Sequence, residues 1–338
     1  MKNFIRRSMK KVLHIRTLRW SIGMLVGVFF LLSSQNAVAQ GVDKFLALGT
    51  SSTSGVYYPV GKAIAGLINA HRLEHGIRCI AYSTGGSVYN IHALASGELD
   101  LAITCMDLAY HAYNGSSIFD SFGPNRNLRV ITALYDMPVA IIVKNDSGIS
   151  CFEDLPGKRI NIGNLGSAKR TIADLLFKVM GWSRKDFSKV LELPTKKMDG
   201  AFCNGEVNIL IQALGIPASF YDRIMRECGG KFLDIPAEVI NKVRRDNPLF
   251  ENARIPGGLY PNNPNEVSTF KTNVVLITSS RLHNKSIYQV AKAIFHDIGQ
   301  FKGKHPALMN FNPDNMIREN IIPFHTGALQ YYREKGLK

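Results

Sequence analysis

The sequence predicts an α/β fold in two lobes, joined by hinge strands and with a ligand cleft between them. Three observations carry that expectation. Short apolar segments alternate with helical patterns at the spacing of βαβ units. The same order of elements recurs in the second half of the chain. Two long apolar segments, one around Pro138 and one from Asn273, each suit a crossing between the halves.

In chain order, Phe45-Leu46-Ala47-Leu48 reads as a first strand, ended by the run Gly49 to Gly55. A helical pattern follows, with Pro59 in its first turn and Val60, Ile64, Leu67 and Ile68 on one face. Arg78 to Tyr82 is a second strand that runs into Ser83-Thr84-Gly85-Gly86-Ser87. The next helix carries Val88, Ile91, Leu94 and Ala95 and stops at Gly97; Leu101-Ala102-Ile103 is a third strand. The repeat begins at Arg159 to Ile162, ended by Gly163-Asn164-Leu165-Gly166-Ser167. Its helix carries Ile172, Leu175, Leu176 and Val179, and a strand over Val190 to Leu193 follows. Gly205-Glu206-Val207-Asn208-Ile209 then echoes Gly97-Glu98-Leu99-Asp100-Leu101. A mostly parallel sheet is expected in each half. The segments Arg129 to Leu134 and Val139 to Val143 flank Met137-Pro138 as a first crossing, and Asn273 to Thr278 is the return. A helix over Ile287 to Phe301 should pack back on the first lobe. The boundaries that follow are residues 40–138 with 273–338 for one lobe, and 139–272 for the other. Two cores of that size suit a chain of 338 residues.

The formal charge of +15 looks like a nucleic-acid signal, but seven of the basic residues (Lys2, Arg6, Arg7, Lys10, Lys11, Arg16 and Arg19) precede the first acid at Asp43, and without them it falls to +8 with no long basic run. A nucleic-acid partner is therefore not expected. The basic stretch leads into the uncharged, apolar Trp20 to Leu32 and then Ala37-Val38-Ala39, the small-x-small pattern of a secretory cleavage site. Thirteen residues fall short of the ~20 that span a bilayer, so a leader over 1–39 cleaved after Ala39 and an exported, periplasmic protein are expected. The five cysteines are widely spaced with no C-x-x-C pair, which argues against a disulfide scaffold or a zinc ribbon. Cys79 and Cys105 lie in apolar stretches and read as buried thiols; whether two of the five are bridged stays open.

Gly/Ser/Thr loops that open into a helix present free N–H groups at the positive end of its dipole, a setting for carboxylate or phosphate. Three qualify: Thr50 to Tyr57, Ser83 to Ser87 and Gly166 to Arg170. All fall beyond strand carboxyl ends, where open α/β sheets bind ligands. Arg170 adds a full positive charge suited to bidentate carboxylate binding. Enzyme signatures fail. Gly163 to Arg170 lacks the Gly-Lys-Ser/Thr ending of a phosphate loop, and no Gly-x-Ser-x-Gly elbow occurs. His71 and His75 have ligand spacing, but no third ligand is signposted. No catalytic residue, metal site or cofactor is expected.

Several of these segments resemble one family. Gly49-Thr50-Ser51-Ser52-Thr53-Ser54-Gly55-Val56-Tyr57-Tyr58-Pro59 is similar to the opening signature of the TAXI family, the solute receptors of one class of TRAP transporters. So are Ser83 to Asn90, Asp107 to Gly115, Ile255 to Pro261 and Pro323 to Ala328 followed by Tyr331-Tyr332. The resemblance implies a periplasmic binding-protein fold (type II-like) that delivers a small organic acid, glutamate- or 2-oxoglutarate-like, to a TRAP permease in the membrane. The binding residues it implies are Thr53, Ser54, Gly55, Val56 and Tyr57, then Thr84, Gly85, Gly86 and Ser87. Gly166, Ser167 and Ala168 stand for the facing loop and Tyr260 for the return segment. This chain departs from the family pattern with Cys105 for Gln, Lys169 for a small or hydroxyl residue, Asn208 for Asp and Thr326 for Pro. The ligand of relatives is therefore not carried over. Two alternatives stay open, an exported sensor feeding a membrane signalling protein and an exported enzyme on the same fold. Neighbouring permease genes separate the first from transport, and turnover of a bound carboxylate would identify the second.

Overall fold

The computed structural model describes residues 44–317 and 321–338. The leader expected over 1–39 lies outside the described residues. Strands β1 (Lys44–Gly49), β2 (Ile77–Tyr82) and β3 (Leu101–Cys105) stand side by side in the order β2-β1-β3. β1 is parallel to β3, with Leu48 opposite Leu101. Helix α1 (Tyr57–Ala70) follows β1, α2 (Ser87–Ser96) follows β2, and α3 (Met106–Asn114) follows β3. Val60, Ile64, Leu67 and Ile68 are buried along α1, the face their spacing predicts.

The next strand joins the halves. β4 (Leu128–Lys144) is one strand of 17 residues where the sequence suggested two segments. Pro138 has no N–H to give, so it suits a place where a ladder ends. It is the last residue of β4 opposite the later strand β10, and Val139 is the first opposite β7. Beyond β4 come β5 (Arg159–Asn161), α4 (Ala168–Met180), β6 (Lys189–Leu191), α5 (Thr195–Cys203) and β7 (Ile209–Ala213). β5 lies parallel between β6 and β7. After α6 (Ser219–Glu227), β8 (Gly230–Leu233) also pairs with β4. α7 (Ala237–Asp246) and β9 (Glu251–Ile255) lead to β10 (Val267–Ser279).

β10 pairs with β9 over Val267 to Lys271, then with β4 over Lys271 to Ser279 and with β3 over Val274 to Thr278. The two long strands therefore stand in the middle of the sheet. Both run antiparallel to their neighbours, so the sheet is mixed rather than mostly parallel. Val274 to Ile277 are fully buried, as a central strand with both faces covered demands.

Two C-terminal helices close the first half, α8 (Asn284–Phe295) and α9 (Thr326–Glu334), with α8 packed on α1 and on α9. The helix expected to run to Phe301 stops at Phe295. Asp297 caps a new short turn there, its carboxylate accepting the Gln300 N–H at 2.8 Å. A disulfide joins Cys203 to Cys228, tying the end of α5 to the end of α6. Cys79 and Cys105 are buried free thiols, and Cys151 is an exposed one. Among the described residues no helix is long and apolar enough to cross a membrane.

Candidate functional site

The loops at the strand ends of the two halves meet around a cavity of about 120 Å³. One buried amide organises the first-half loops. Asn90, on α2, donates to the carbonyls of Thr50 at 2.7 Å and Ile103 at 2.8 Å. Gly49 leaves room for it; a Cβ there would stand 2.8 Å from Asn90 Oδ1 and 2.3 Å from Leu99. The Thr84 hydroxyl lies 2.6 Å from Asn90 Oδ1 and 2.9 Å from the Thr50 carbonyl, and it accepts from the Gly86 N–H at 3.2 Å. Its proton therefore serves the protein, and Thr84 lines the cavity with its hydroxyl already engaged. α1 starts at Tyr57 with no side-chain cap, so its first N–H groups are left to another acceptor.

The floor is neutral. The Ser87 hydroxyl lies 3.2 Å from Tyr57 Oη and accepts from Cys105 Sγ at 3.7 Å; Tyr57 Oη also reaches Met137 Sδ at 3.7 Å. Burial pushes both the Tyr57 hydroxyl and the Cys105 thiol well above their usual ranges, which keeps them protonated. Asp107 lies two residues beyond Cys105, buried, its carboxylate accepting from Thr272 at 3.0 Å.

In the second half the organising amide is Asn161, on β5. It accepts the Leu193 N–H at 2.7 Å and so sets the turn that brings Pro194 and Thr195 to the cavity. Ser167 caps α4, its hydroxyl accepting the Arg170 N–H at 3.4 Å. Lys169 Nζ donates to Thr195 Oγ1 at 2.8 Å, and burial draws this ammonium down to about 8. The halves touch across the mouth. The Gly166 carbonyl accepts the N–H groups of Val88 at 3.0 Å and Tyr89 at 3.4 Å, and Asn164 donates to the Gly85 carbonyl at 3.1 Å. Gly86, at φ +108°, passes so close that a Cβ would stand 3.3 Å from Ser167 Cα.

Of the residues expected in the site, Gly55, Val56, Tyr57, Thr84, Gly85, Gly86, Ser87, Ser167 and Ala168 line the cavity. Five stand elsewhere. Thr53 is exposed, and Ser54 bonds Ser52 at 3.0 Å. Gly166 uses its carbonyl in the mouth contact just described. Arg170 is held by Asp174 at 2.9 Å and Glu192 at 2.7 Å, outside the lining. Tyr260 accepts the Ala218 N–H at 2.9 Å and packs edge-on against Tyr221 and Phe232. Sequence reasoning placed Ser51 and Ser52 in the first anion loop without naming them as binding residues, missed Thr195 and Gln212, and noted Lys169 only as a departure. The described lining carries no carboxylate and no imidazole. Among the described residues no group of three His, Cys, Asp or Glu side chains is placed to hold a metal ion.

The mixed sheet with a cleft at its strand ends is the fold of the two-lobed, type II-like periplasmic binding proteins. The chain belongs to the NMT1-like family, which residues 48–336 match. Among solved structures it is similar to a putative L-cystine ABC transporter protein from Listeria monocytogenes, at 12% identity and TM-score 0.50 over 79% of this chain and 97% of that one. It is also similar to the alkanesulfonate-binding protein SsuA from Xanthomonas axonopodis pv. citri bound to MOPS, at 15% identity and TM-score 0.44 over 78% of each chain. The GluR0 ligand-binding core from Nostoc punctiforme, in complex with L-glutamate, matches at 12% identity and TM-score 0.46 over 79% of this chain and 99% of that one.

Proposed function

We propose that this chain is an extracytoplasmic receptor of the TAXI type that captures a small organic acid and hands it to a TRAP permease in the membrane. One observation carries the reading. The uncapped start of α1 and the hydroxyl-rich loops of the first half face Ser167 and Thr195 of the second across a cavity whose described lining has no carboxylate. Uncapped helix N–H groups and hydroxyls favour an anion, and a lining without acid does not repel one. A volume near 120 Å³ suits a small acid such as glutamate or 2-oxoglutarate. The segments that resemble the TAXI signatures support the same assignment, and the leader pattern over 1–39 supports export.

The lobes of this receptor are residues 40–138 with 273–338, and 139–272. Their hinge lies where β4 exchanges β10 for β7 at Pro138 and where β10 leaves β9 at Lys271. A ligand held by both lobes stabilises the closed form by its differential contacts, and that gives a permease a shape to recognise. Native mass spectrometry of the purified protein should find a small organic acid bound, and small-angle scattering should show the protein contract when that acid is restored to stripped protein. An uncharged co-purifying solute, or a saturating acid that leaves the distance distribution unchanged, would overturn the reading.

A further inference from the structure

Among the described residues Lys169 is the charged side chain that lines the cavity, and they leave its charge unanswered. Its hydrogen bond goes to the neutral Thr195 hydroxyl, which uses one of three ammonium protons. The acids beside its chain neighbour Arg170 serve other cations. Asp174 and Glu192 both hold Arg170, and Glu192 also holds Arg184. Lys169 further sits in the first turn of α4, the positive end of a helix, where a cation is disfavoured and where that turn has no acid. The stem is nevertheless held firmly. It lies across Gly163, at φ +86°, where a Cβ would stand 2.5 Å from Lys169 Cγ. A partly buried, positioned cation at the wrong end of a helix, with no counter-ion among the described residues, costs stability, and a ligand anion would offset that cost.

We propose that Lys169 determines the charge class of the solute, pairing its ammonium with an anionic group in the half of the cleft opposite the start of α1. The proposal rests on the reading of this cleft as an organic-acid site and adds what that reading lacks, a named residue for charge selection. The low position of the ammonium, about 8, agrees with a charge awaiting its partner. The other titratable group of the lining, Tyr57, is held protonated by burial. Behind it Cys105 is also held protonated, and burial moves Asp107 upward. Of these groups Lys169 is the one whose positive charge is lost as pH rises above 7.

The test is calorimetry on the full mature chain with L-glutamate, 2-oxoglutarate, a short alkanesulfonate and inorganic phosphate as probes, for wild type, Lys169→Met and Lys169→Gln. The expected result is that at least one anionic probe binds wild type and binds both variants at least about tenfold more weakly, while their melting temperatures stay equal or rise. In wild type, affinity for that probe should fall up to about tenfold from pH 7 to pH 9, following loss of the ammonium charge, and the variants should show no such fall. The pH arm decides the matter even if a variant fails to fold. Equal affinity in wild type and variants, or a wild-type affinity flat across that range, overturns the role of Lys169 and leaves the site reading standing. Absence of binding by every anion to wild type overturns the site reading, and this proposal with it.

Discussion

The two halves of the cleft solve one problem with different chemistry. In the first half, Asn90 ties three strand ends together through the carbonyls of Thr50 and Ile103 and the hydroxyl of Thr84, and the surface it shapes is neutral. In the second half, Asn161 makes one short bond to Leu193, and a lysine faces the cavity from the next helix. The second half also has a covalent tie, Cys203 to Cys228, and the three free cysteines lie outside it or, for Cys151, at its surface. One half is held by a buried polar clamp, the other by a disulfide and a looser clamp. The charge sits on the looser side.

That contrast predicts an order of losses. Breaking the disulfide should cost most. The bridge spans a sequence separation of 25, for which chain entropy gives about 3.5 kcal/mol. Chemical denaturation of Cys203→Ser/Cys228→Ser protein should show a loss of that size, with hydrogen exchange accelerated in α5 and α6 before β1 to β3. Uniform acceleration across both halves would break the comparison. Asn90→Ala comes next. It takes the Asn90 donor from the buried Ile103 carbonyl and leaves the Thr50 carbonyl to the Thr84 hydroxyl, so a loss of roughly 2–3 kcal/mol is expected, the upper part of the range for a buried group left unsatisfied. Because Thr84 is aligned by the same amide, ligand affinity should fall as well. Asn161→Ala should cost about 1–2 kcal/mol, since its one strong bond is to the Leu193 N–H while its contact to the Leu193 carbonyl is long at 3.5 Å. Equal losses at Asn90 and Asn161 would mean that the second-half clamp is as tight as the first.

The same contrast explains what the sequence made legible. The first half is written locally: a strand, a Gly/Ser/Thr run and a helix lie within a few residues of one another, so Gly55 to Tyr57 and Thr84 to Ser87 could be found by inspection. Pro138 likewise marks a change of strand partner because a residue without an N–H leaves a readable gap in a ladder. The second half is written non-locally. Thr195 and Gln212 reach the cavity from separate strand ends with no loop signature, and Cys203 finds Cys228 only through the packing of α5 and α6. Tyr260 was drawn by its motif, yet its hydroxyl serves the Ala218 N–H inside an aromatic cluster. Asp297 could have been read as a cap three residues before Gln300, which would have ended the C-terminal helix correctly.

The choice between Arg170 and Lys169 is the sharpest case, and it supplies the smallest predicted effect. Adjacent residues on a helix point about 100° apart, so only one of the two can face the cleft, and a cation count does not say which. A signal was present: Asp174 stands four residues after Arg170, the spacing of a helix-surface ion pair. In the fold Arg170 takes that partner and Glu192 as well, and Glu192 keeps Arg184 if Arg170 is removed. Asp174 is largely exposed, and pairs of that kind contribute about 1 kcal/mol or less. Arg170→Ala should therefore lower stability by no more than about 1 kcal/mol and leave solute affinity within about twofold, whereas Lys169→Met should lower affinity while sparing stability. Parallel titrations of the two variants with one anionic probe read this directly. A larger loss of affinity at Arg170 than at Lys169 would mean that α4 turns its other face to the ligand on binding, and the division between a neutral half and a charged half would have to be redrawn around Glu192.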